Sequence, residues 1–498
     1  MRAGTVRSGR GRGRGSGHGG AGRTGVGRTG AVRRALALAG ALLLAGTACA
    51  DGAPAGGAAR AAPGAGEIRI VVSPDLTSGG IAKELIEEAA GRLGLAGRVS
   101  IVELPDDSDG QRSQLVAALQ AGNRDHYDIV NLDVTWTAEF ARQRLIEPLE
   151  GELAGLDTRD EKGIWQSVRD TVEYDGKAWA VPWKTDAGLL YYRADKLEDD
   201  PGLRTWRQLV GTVRRYEPSA EERGTLRAGL VTQLDSYEGL TVNTHEAVWR
   251  NGGEIVGEGD DVRVAAPEAR RGLHELGDAF DRDGAGQLPV LDHESLESDE
   301  TRTIERFLAG EALAMRNWPF AISRLEEHLR KSDRRGSDGG APRYGVTALP
   351  DGDGAGFSGN AVQGGYNLAI AEGSPDAGHA RRLIEEITSD GDLTRRLYEG
   401  GSVPARKSAI PGGCSPWGRS LPDEVPRGTL REQYDEALCW SMEHARARPS
   451  TSRYAAVTRD IQDVMTKRLR RAPGEPPVDE HATPGDLERL LRKSLAGR

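Results

Sequence analysis

Apolar and polar positions along the chain change their spacing repeatedly, in a way that predicts strands and helices in turn. Short β-branched runs at 67–72, 99–104 and 128–132 predict strands, and apolar residues at helical spacing predict helices at 81–93 and 113–120 between them. Strands that alternate with helices favour a parallel sheet covered on both faces. Further along the chain the pattern predicts helices at 237–250, 267–280, 376–388 and 454–469, and strands at 345–349 and 366–370.

The N-terminus has the features of an export signal. Arg33 and Arg34 precede an apolar run at 35–45, and small residues lead from that run to Cys49. The run is too short to span a bilayer. The pattern resembles a bacterial lipoprotein signal in which Cys49 is acylated, although Gly46 stands where such signals prefer Leu; ordinary secretion is the alternative. We therefore expect an exported chain anchored by lipid on Cys49 to the outer face of the cell membrane.

The rest of the chain divides into a tether, a body and a tail. Residues 1–48 are the signal peptide with a Gly/Arg-rich low-complexity extension, and residues 49–66, rich in Gly, Ala and Pro, suit a flexible tether. The body of about 400 residues is too large for one core, so two lobes are expected. Residues 472–498 are charged and Pro-containing, then weakly helical, and are predicted to form a tail outside the core.

Charge and motifs exclude several classes of function. Removing the nine Arg residues of 1–48, which holds no acidic residue, changes the formal net charge from −10 to −19. Such an acidic surface argues against nucleic acid as a partner. The run GAGFSG at 354–359 spells a dinucleotide fingerprint, but a strand-like run follows it where a helix is required, so a surface loop is predicted. No cofactor and no metal site are predicted.

Two cysteines remain once Cys49 is assigned to the lipid. Cys414 and Cys439 lie in an exported chain, where an oxidised pair is expected. The chain-entropy estimate for a loop of about 25 residues is roughly 3 kcal/mol of stabilisation. A metal pair is the weaker alternative, because neither cysteine has a His or Cys neighbour at ligand spacing.

The run YDGKAWAVPWKTDAGLLYY at 174–192 is the most informative segment for the ligand, because it combines aromatic and charged side chains. It places two indoles, an ammonium and a carboxylate just before an aliphatic and aromatic strand-like run. Sugar hydroxyls prefer charged hydrogen-bonding partners, and the C–H faces of sugars pack on aromatic rings. These residue types in this order therefore indicate a sugar site at the entry to a buried strand.

Several collinear blocks resemble the family of bacterial extracellular solute-binding proteins of ABC sugar importers, especially the trehalose/maltose-binding branch. The resemblance runs over about residues 67–470. It rests on the run at 174–192 and on the following blocks: DIVNLDVTW at 128–136, EGL at 238–240 with WRNGG at 249–253, FLAG at 307–310 with MRNWPF at 315–320, GGYNLAI at 364–370, and GSVPARKS at 401–408.

The resemblance implies an α/β fold of the two-lobe periplasmic-binding-protein type, with an inter-lobe hinge and cleft. Lobe one is expected at 67–186 and 366–408, and lobe two at 187–365 and 409–471. A monomer would capture a disaccharide by hinge closure and deliver it to the membrane subunits of an ABC permease. The expected ligand-binding residues are Arg112, Asp133, Trp136, Lys184, Asp186, Trp318, Gly365, Tyr366 and Arg448.

Each of these residues also has a simpler interpretation. Arg112 and Arg448 are compatible with solvated surface charges, Trp136 with a core residue, and Tyr366 with strand packing. Lys184 departs from the family, which usually has an aromatic residue there, so the identity of the sugar stays open. Two other classes of function also stay open: a secreted carbohydrate-active enzyme that uses Asp133 and Asp186 as paired carboxylates, and a binding protein for an anionic, non-sugar ligand paired by Lys184.

Overall fold

The computed structural model describes residues 66–497, apart from 106, 124–126, 150–162, 198–201, 282–286, 336–341, 353–359, 390, 415–427 and 471–481. The predicted signal, the lipidation site Cys49, the tether up to residue 65 and the loop at 354–359 therefore lie outside the described residues. None of the helices in the described ranges is long and apolar enough to cross a lipid bilayer.

The strands are, in chain order, β1 Ile68–Val72, β2 Val99–Glu103, β3 Ile129–Asp133, β4 Glu173–Tyr174, β5 Lys177–Ala178, β6 Val181–Ala187, β7 Leu189–Arg193, β8 Ala228–Val231, β9 Val256–Gly257, β10 Asp261–Val262, β11 Ala312–Asn317, β12 Tyr344–Ala348 and β13 Gln363–Ile370. The helices are α1 Ile81–Arg92, α2 Ser108–Gln120, α3 Thr137–Arg142, α4 Gln166–Arg169, α5 Trp206–Arg215, α6 Glu238–Arg250, α7 Pro267–Asp278, α8 Glu300–Leu308, α9 Ala321–Arg335, α10 Ala377–Thr388, α11 Asp392–Glu399, α12 Leu430–His444, α13 Tyr454–Leu469 and α14 Ala482–Leu495.

The predicted elements are present, with small differences at their ends. The helix predicted at 113–120 begins five residues earlier, at Ser108, because Asp107 caps it and accepts a hydrogen bond from the Gly110 N–H at 2.5 Å. The helix predicted at 454–469 has the predicted bounds. The strand predicted at 366–370 begins at Gln363, which places two consecutive glycines inside β13.

The first lobe is built on a five-stranded sheet of order β2-β1-β3-β13-β6. Strands β2, β1 and β3 are parallel, as predicted, whereas β13 is antiparallel to both β3 and β6. The parallel arrangement predicted from the alternating strands and helices is confirmed for β2, β1 and β3, whereas the directions of β13 and β6 were not predicted. These two strands adjoin connections to the other lobe, so no crossover helix fixes their direction as it does for β1 and β3.

The second lobe has a four-stranded sheet of order β12-β7-β11-β8, in which β7 is antiparallel to both neighbours. The first crossing between the lobes occurs at Gly188, between β6 and β7. A Cβ atom at Gly188 would lie 2.7 Å from Glu246 Oε1 and 2.8 Å from Arg316 Nη2, so only glycine lets the chain pass this buried ion pair. The second crossing links β12 to β13. The lobe boundaries given above stay predictions.

The third crossing leads from α11, which packs against α1 in the first lobe, to α12, which packs against β12 in the second. The predicted disulfide joins Cys414 on this segment to Cys439 in α12. The bond ties the end of the described crossing to a buried helix of the second lobe.

The cores follow the period of the strands. Alternate residues of β1 enter two different apolar clusters, with Ile70 in one and Val71 in the other, because successive side chains of a strand point to opposite faces. Both faces of the first sheet are therefore covered. The second lobe has one large cluster built around β7, β11 and the helices packed on them.

The prediction that residues 472–498 lie outside the core is wrong for α14. Leu487 and Leu491, one turn apart, are fully buried and belong to the core of the second lobe, and Leu490 and Leu495 pack against it. These leucines form an apolar stripe at helical spacing, but the charged residues around them make that stripe hard to recognise in the sequence. Helix α14 packs on α13 and on β10.

Candidate functional site

A cavity of about 130 Å³ lies between the lobes and is lined by side chains of both. The first lobe supplies residues that follow β1 and β3, together with β6 and β13. The second lobe supplies the first residues of α6 and α8 and the turn after β11. Of the nine ligand-binding residues predicted, this cavity brings together seven: Asp133, Lys184, Asp186, Trp318, Gly365, Tyr366 and Arg448.

One wall of the cavity is formed by the paired strands β6 and β13. Lys184 lies opposite Tyr366 in the sheet, and Asp186 lies opposite Gly364. Gly365 has φ of +122°, and a Cβ atom there would stand 2.3 Å from the Lys184 carbonyl oxygen. Glycine is therefore required at position 365 both for its backbone conformation and for its close approach to β6.

Lys184 is a buried ammonium in the lining of the cavity. Its side chain is only 7% exposed, and no carboxylate of the described residues lies within 4.0 Å of Nζ. Nζ stands over two rings, 4.7 Å from the centroid of Trp183 and 5.1 Å from that of Tyr366. Burial lowers the pKa of Lys184, while the charges of Asp75 and Asp186 oppose that shift.

Asp186 is the carboxylate counterpart on the same strand. No hydrogen-bond donor of the described residues reaches its side chain. The pKa of Asp186 is raised from 3.8 to about 7: burial is the largest cause, Lys184 and Arg316 act in the opposite direction, and the charge of Asp133 adds to the rise. An acid with this pKa is half charged near neutral pH and gains from any donor that a ligand brings.

Asp133 and Arg448 meet across the cleft. Arg448 Nη2 lies 3.6 Å from Asp133 Oδ1, and Nη1 donates a hydrogen bond to Glu238 Oε1. Asp133 Oδ1 also accepts from the Thr135 N–H at 2.9 Å. Glu238 in turn accepts from the Tyr454 hydroxyl at 2.5 Å. Arg448 is therefore a buried cation at the lobe interface and is not the solvated surface charge of the alternative interpretation.

Trp318 is held at the second-lobe side of the cavity. Its indole Nε1 donates to Glu300 Oε1 at 3.2 Å, and the Glu300 carboxylate also accepts from the Tyr237 hydroxyl at 2.8 Å. The guanidinium of Arg316 stacks 4.1 Å from the Trp318 ring, and Arg316 pairs with Glu246 at 2.6 Å. Burial raises the pKa of Glu300.

Two predicted residues are absent from the lining of the cavity. Arg112 donates both arms of its guanidinium to Glu139, with Nε 2.7 Å from Oε2. The guanidinium of Arg112 is therefore already paired with the Glu139 carboxylate. Trp136 is 5% exposed in the core of the first lobe and stacks on Phe140 with ring centroids 6.3 Å apart. Trp136 is therefore a core residue, as its simpler interpretation had it, whereas Arg112 is ion-paired and is not the solvated surface charge of its alternative interpretation.

The polar residues of the lining that the sequence analysis missed include Asp75, Tyr237, Glu238 and Glu300. Asp75 lies just beyond the end of β1, and Asp133 is the last residue of β3, so the position of Asp75 near a strand end is a signal that was available. Glu238 and Glu300 are the first residues of α6 and α8. Acidic residues are common in the first turn of any helix, so their sequence positions carry no functional signal. No cluster of metal-ligating side chains occurs in the described ranges.

The sequence matches known proteins over most of its length. Residues 86–423 match a family model described as bacterial extracellular solute-binding protein. The chain belongs to this family. The solute-binding protein is also 26% identical over 313 residues to a protein of Deinococcus radiodurans named probable ABC transporter-binding protein, a match that covers 61% of this chain and 68% of the relative. The resemblance inferred from the sequence blocks is thus confirmed.

Solved structures share the fold of this solute-binding protein. Maltose-bound T. maritima MalE3 superposes with a TM-score of 0.67 and 27% identity, covering 86% of this chain and 99% of that one. The GacH receptor of Streptomyces glaucescens, solved unliganded and with acarbose, has a TM-score of 0.65 and 20% identity, covering 86% and 98%. The second likeness shows the two-lobe fold alone.

Proposed function

We propose that this solute-binding protein captures a disaccharide of the trehalose/maltose kind by hinge closure and delivers it to an ABC permease. The observation that carries the proposal is the pair Lys184 and Asp186. The two side chains are two residues apart on one strand of the cavity wall, and neither has a hydrogen-bonding partner among the described residues. A sugar hydroxyl both donates and accepts, so adjacent hydroxyls satisfy the carboxylate and the ammonium together.

Contacts between the lobes support closure as the capture step. Asp133 of the first lobe and Arg448 of the second approach each other within 3.6 Å. The cavity of about 130 Å³ is smaller than the roughly 300–1,000 Å³ of ordinary ligand sites. A disaccharide therefore enters only when the lobes separate, and contacts to both lobes then favour the closed form. Hinge closure around a ligand is the usual domain motion of periplasmic binding proteins.

The relation to maltose-bound MalE3 supports a disaccharide ligand, because identity there is 27% over nearly the whole of that chain. Trehalose and maltose present the same chemical groups to such a cavity. Compared with the aromatic residue that is usual at this position in the family, Lys184 offers no ring for stacking but adds three hydrogen-bond donors. We propose that Lys184 and Asp186 together determine which disaccharide is accepted.

We propose further that the chain binds its sugar without cleaving it. Asp133 and Asp186 are the two carboxylates that an enzyme would use, yet Asp133 is engaged by Thr135 and Arg448. Incubation with trehalose and with maltose tests this. Turnover that disappears in Asp186→Asn would support the secreted carbohydrate-active enzyme instead.

An anionic, non-sugar ligand is the second candidate, and the unpartnered ammonium of Lys184 is the observation in its favour. The five carboxylates of the cavity lining oppose it, because an anion would be repelled by most of them. A panel of neutral sugars, acidic sugars and small dicarboxylates, screened by thermal shift and followed by calorimetry, separates the candidates. Stabilisation by neutral disaccharides supports the proposal, and stabilisation by the anions alone overturns it.

The remaining proposals concern the oligomeric state and the cellular location of the protein. We propose that the mature chain is a monomer, exported and held at the outer face of the membrane by lipid on Cys49. Cys49→Ser expressed in the native host, followed by cell fractionation, tests the anchor. The wild-type protein should remain with membranes and the variant should be released. Equal release of both proteins would contradict lipid anchoring.

A further inference from the structure

The lining of the cavity carries more negative than positive groups. Arg448 already has two carboxylate neighbours, Glu238 and Asp133. Asp75 accepts hydrogen bonds from the Ala82 N–H at 2.9 Å and from Thr77. The lining contains two cationic side chains, Lys184 and Arg448, and five carboxylates: Asp75, Asp133, Asp186, Glu238 and Glu300.

Two of these carboxylates, Asp186 and Glu300, form no ion pair with a described residue, although the charges of Lys184 and Arg316 act on Asp186 from farther away. Within the part of the chain that the structure describes, no nitrogen of Lys, Arg or His lies within 4.0 Å of either carboxylate. Glu300 accepts hydrogen bonds from the Tyr237 hydroxyl and the Trp318 indole, both of which are neutral donors. The Asp186 carboxylate has no donor among the described residues.

Asp186 and Glu300 lie at the same end of the cavity. A Cβ atom built on Gly364 would stand 3.0 Å from Trp318 Cζ3 and 3.5 Å from Asp186 Cβ, so both side chains flank this one backbone position. Glu300 Oε1 accepts a hydrogen bond from the indole Nε1 of the same Trp318 at 3.2 Å. We call Asp186, Glu300 and Trp318 the acidic end of the cavity.

The Tyr366 end of the lining is marked by Lys184, which lies two residues before Asp186 on the same strand, β6. The Lys184 side chain is only 7% exposed and has no acceptor among the described residues. A buried ammonium needs acceptor oxygens to offset its desolvation. The ligand must therefore present oxygen atoms at this end. Lys184 also repels any cation placed beside Tyr366, which fixes how a charged ligand is oriented.

We propose that the preferred ligand is a basic sugar, an oligosaccharide that carries a protonated amine, with its ammonium group at the acidic end and its hydroxyl oxygens at Lys184. This inference rests on the proposed sugar-binding function. Neutral hydroxyls satisfy the hydrogen bonds of Asp186 and Glu300 but leave the excess of carboxylates over cations in the lining uncompensated. An ammonium group satisfies the hydrogen bonds and compensates the charge.

Two sets of matched sugars test the proposal by isothermal calorimetry at pH 7. The first set is the β-1,4-linked glucosamine disaccharide, its di-N-acetyl form and cellobiose, which differ at the 2-substituent alone. The second set is trehalosamine and trehalose, which covers the α-linkage. We expect the amine of at least one set to bind roughly 10- to 100-fold more tightly than its neutral counterparts.

Variants connect the preference to the acidic end. Glu300→Gln should remove most of the preference for the amine, and the neutral sugars should lose less affinity than the amine. Glu305→Gln is the matched control: it lies on the same helix α8, with its side chain 57% exposed, and should leave the preference unchanged.

The outcomes separate this inference from the function on which it rests. Neutral sugars that bind as tightly as their amines overturn the basic-sugar proposal and leave sugar capture standing. A preference for the amine that survives Glu300→Gln also overturns the assignment to the acidic end. If no member of either set binds while maltose does, the inference alone is wrong; if maltose does not bind either, the proposed function is wrong as well.

Discussion

Asp186→Asn should stabilise the ligand-free protein at neutral pH while weakening sugar binding. The amide keeps the shape of the side chain and removes its charge. Burial raises the pKa of Asp186 from 3.8 to about 7, so the folded state holds a proton that the unfolded state has already lost. The folded chain therefore bears a penalty for ionising this carboxylate, and the variant lacks that penalty.

The sign and size of the effect follow from proton linkage. Below pH 3.8 the carboxyl is protonated in both states, so wild type and variant differ little. Between about pH 4 and 7 only the folded state keeps the proton, and wild-type stability falls as the pH rises. At about 1.4 kcal/mol for each pH unit, a rise in pKa from 3.8 to about 7 sets an upper limit of roughly 4 kcal/mol. The Asp186 carboxylate also stabilises the charged form of Lys184, and the variant loses this contribution. We therefore expect a smaller net gain in the free energy of unfolding, about 1 to 3 kcal/mol at pH 8.

Urea denaturation of the sugar-free proteins at pH values from 4.5 to 8 measures this gain. The advantage of Asp186→Asn should grow with pH and level off above pH 7. Asp392→Asn is the control, because the hydrogen bond from Arg92 lowers the pKa of Asp392 to about 2. That carboxylate contributes stability above pH 3.8, so its variant should be less stable by an amount that does not change over the same range. A stability gain for Asp186→Asn that is equal at pH 4.5 and pH 8 would refute the reasoning.

Four other substitutions test the site and the fold. Asp133→Ala and Trp318→Ala should each weaken disaccharide binding by calorimetry, the former by roughly 10- to 150-fold, because a charged acceptor is lost; wild-type affinity in both would show that the site lies elsewhere. Lys184→Tyr should change the order of preference among trehalose, maltose, sucrose and an acidic sugar, and an unchanged order would contradict a role in specificity. Leu487→Ala should cost about 2–5 kcal/mol of unfolding free energy, measured in urea, without changing sugar affinity, because the fully buried leucine joins α14 to the core.

Sequence patterns predicted the elements well where the period was long and regular. Helices α6 and α13 begin and end within one residue of the predicted bounds, because their apolar stripes are sustained over several turns. The direction of β13 was not predictable in this way. It depends on how the chain returns from the second lobe, and nothing within residues 363–370 encodes that path. The burial of α14 was missed because its apolar stripe is short and surrounded by charges.

The site was predictable in part for a similar reason. Strand ends are local features, and Asp133, Lys184 and Asp186 lie on or at the end of strands that line the cavity. Arg112 has the residue type and spacing of a sugar donor, yet Glu139, 27 residues away, occupies its guanidinium. Which carboxylate pairs with which guanidinium is decided by tertiary packing, and a sequence does not contain that information in any local form.

The partners of a buried charge distinguish a structural role from a binding role in this protein. Arg316 lies 2.6 Å from Glu246 and also donates to Gln233, so its charge is compensated within the fold. Lys184 and Asp186 share the same cavity wall, and neither side chain has a hydrogen bond to a described residue. Two charges left in this state cost stability in the ligand-free chain. The cost is recovered only when a ligand supplies the missing donors and acceptors, so these two positions, more than the paired arginines, should govern which sugar closes the lobes.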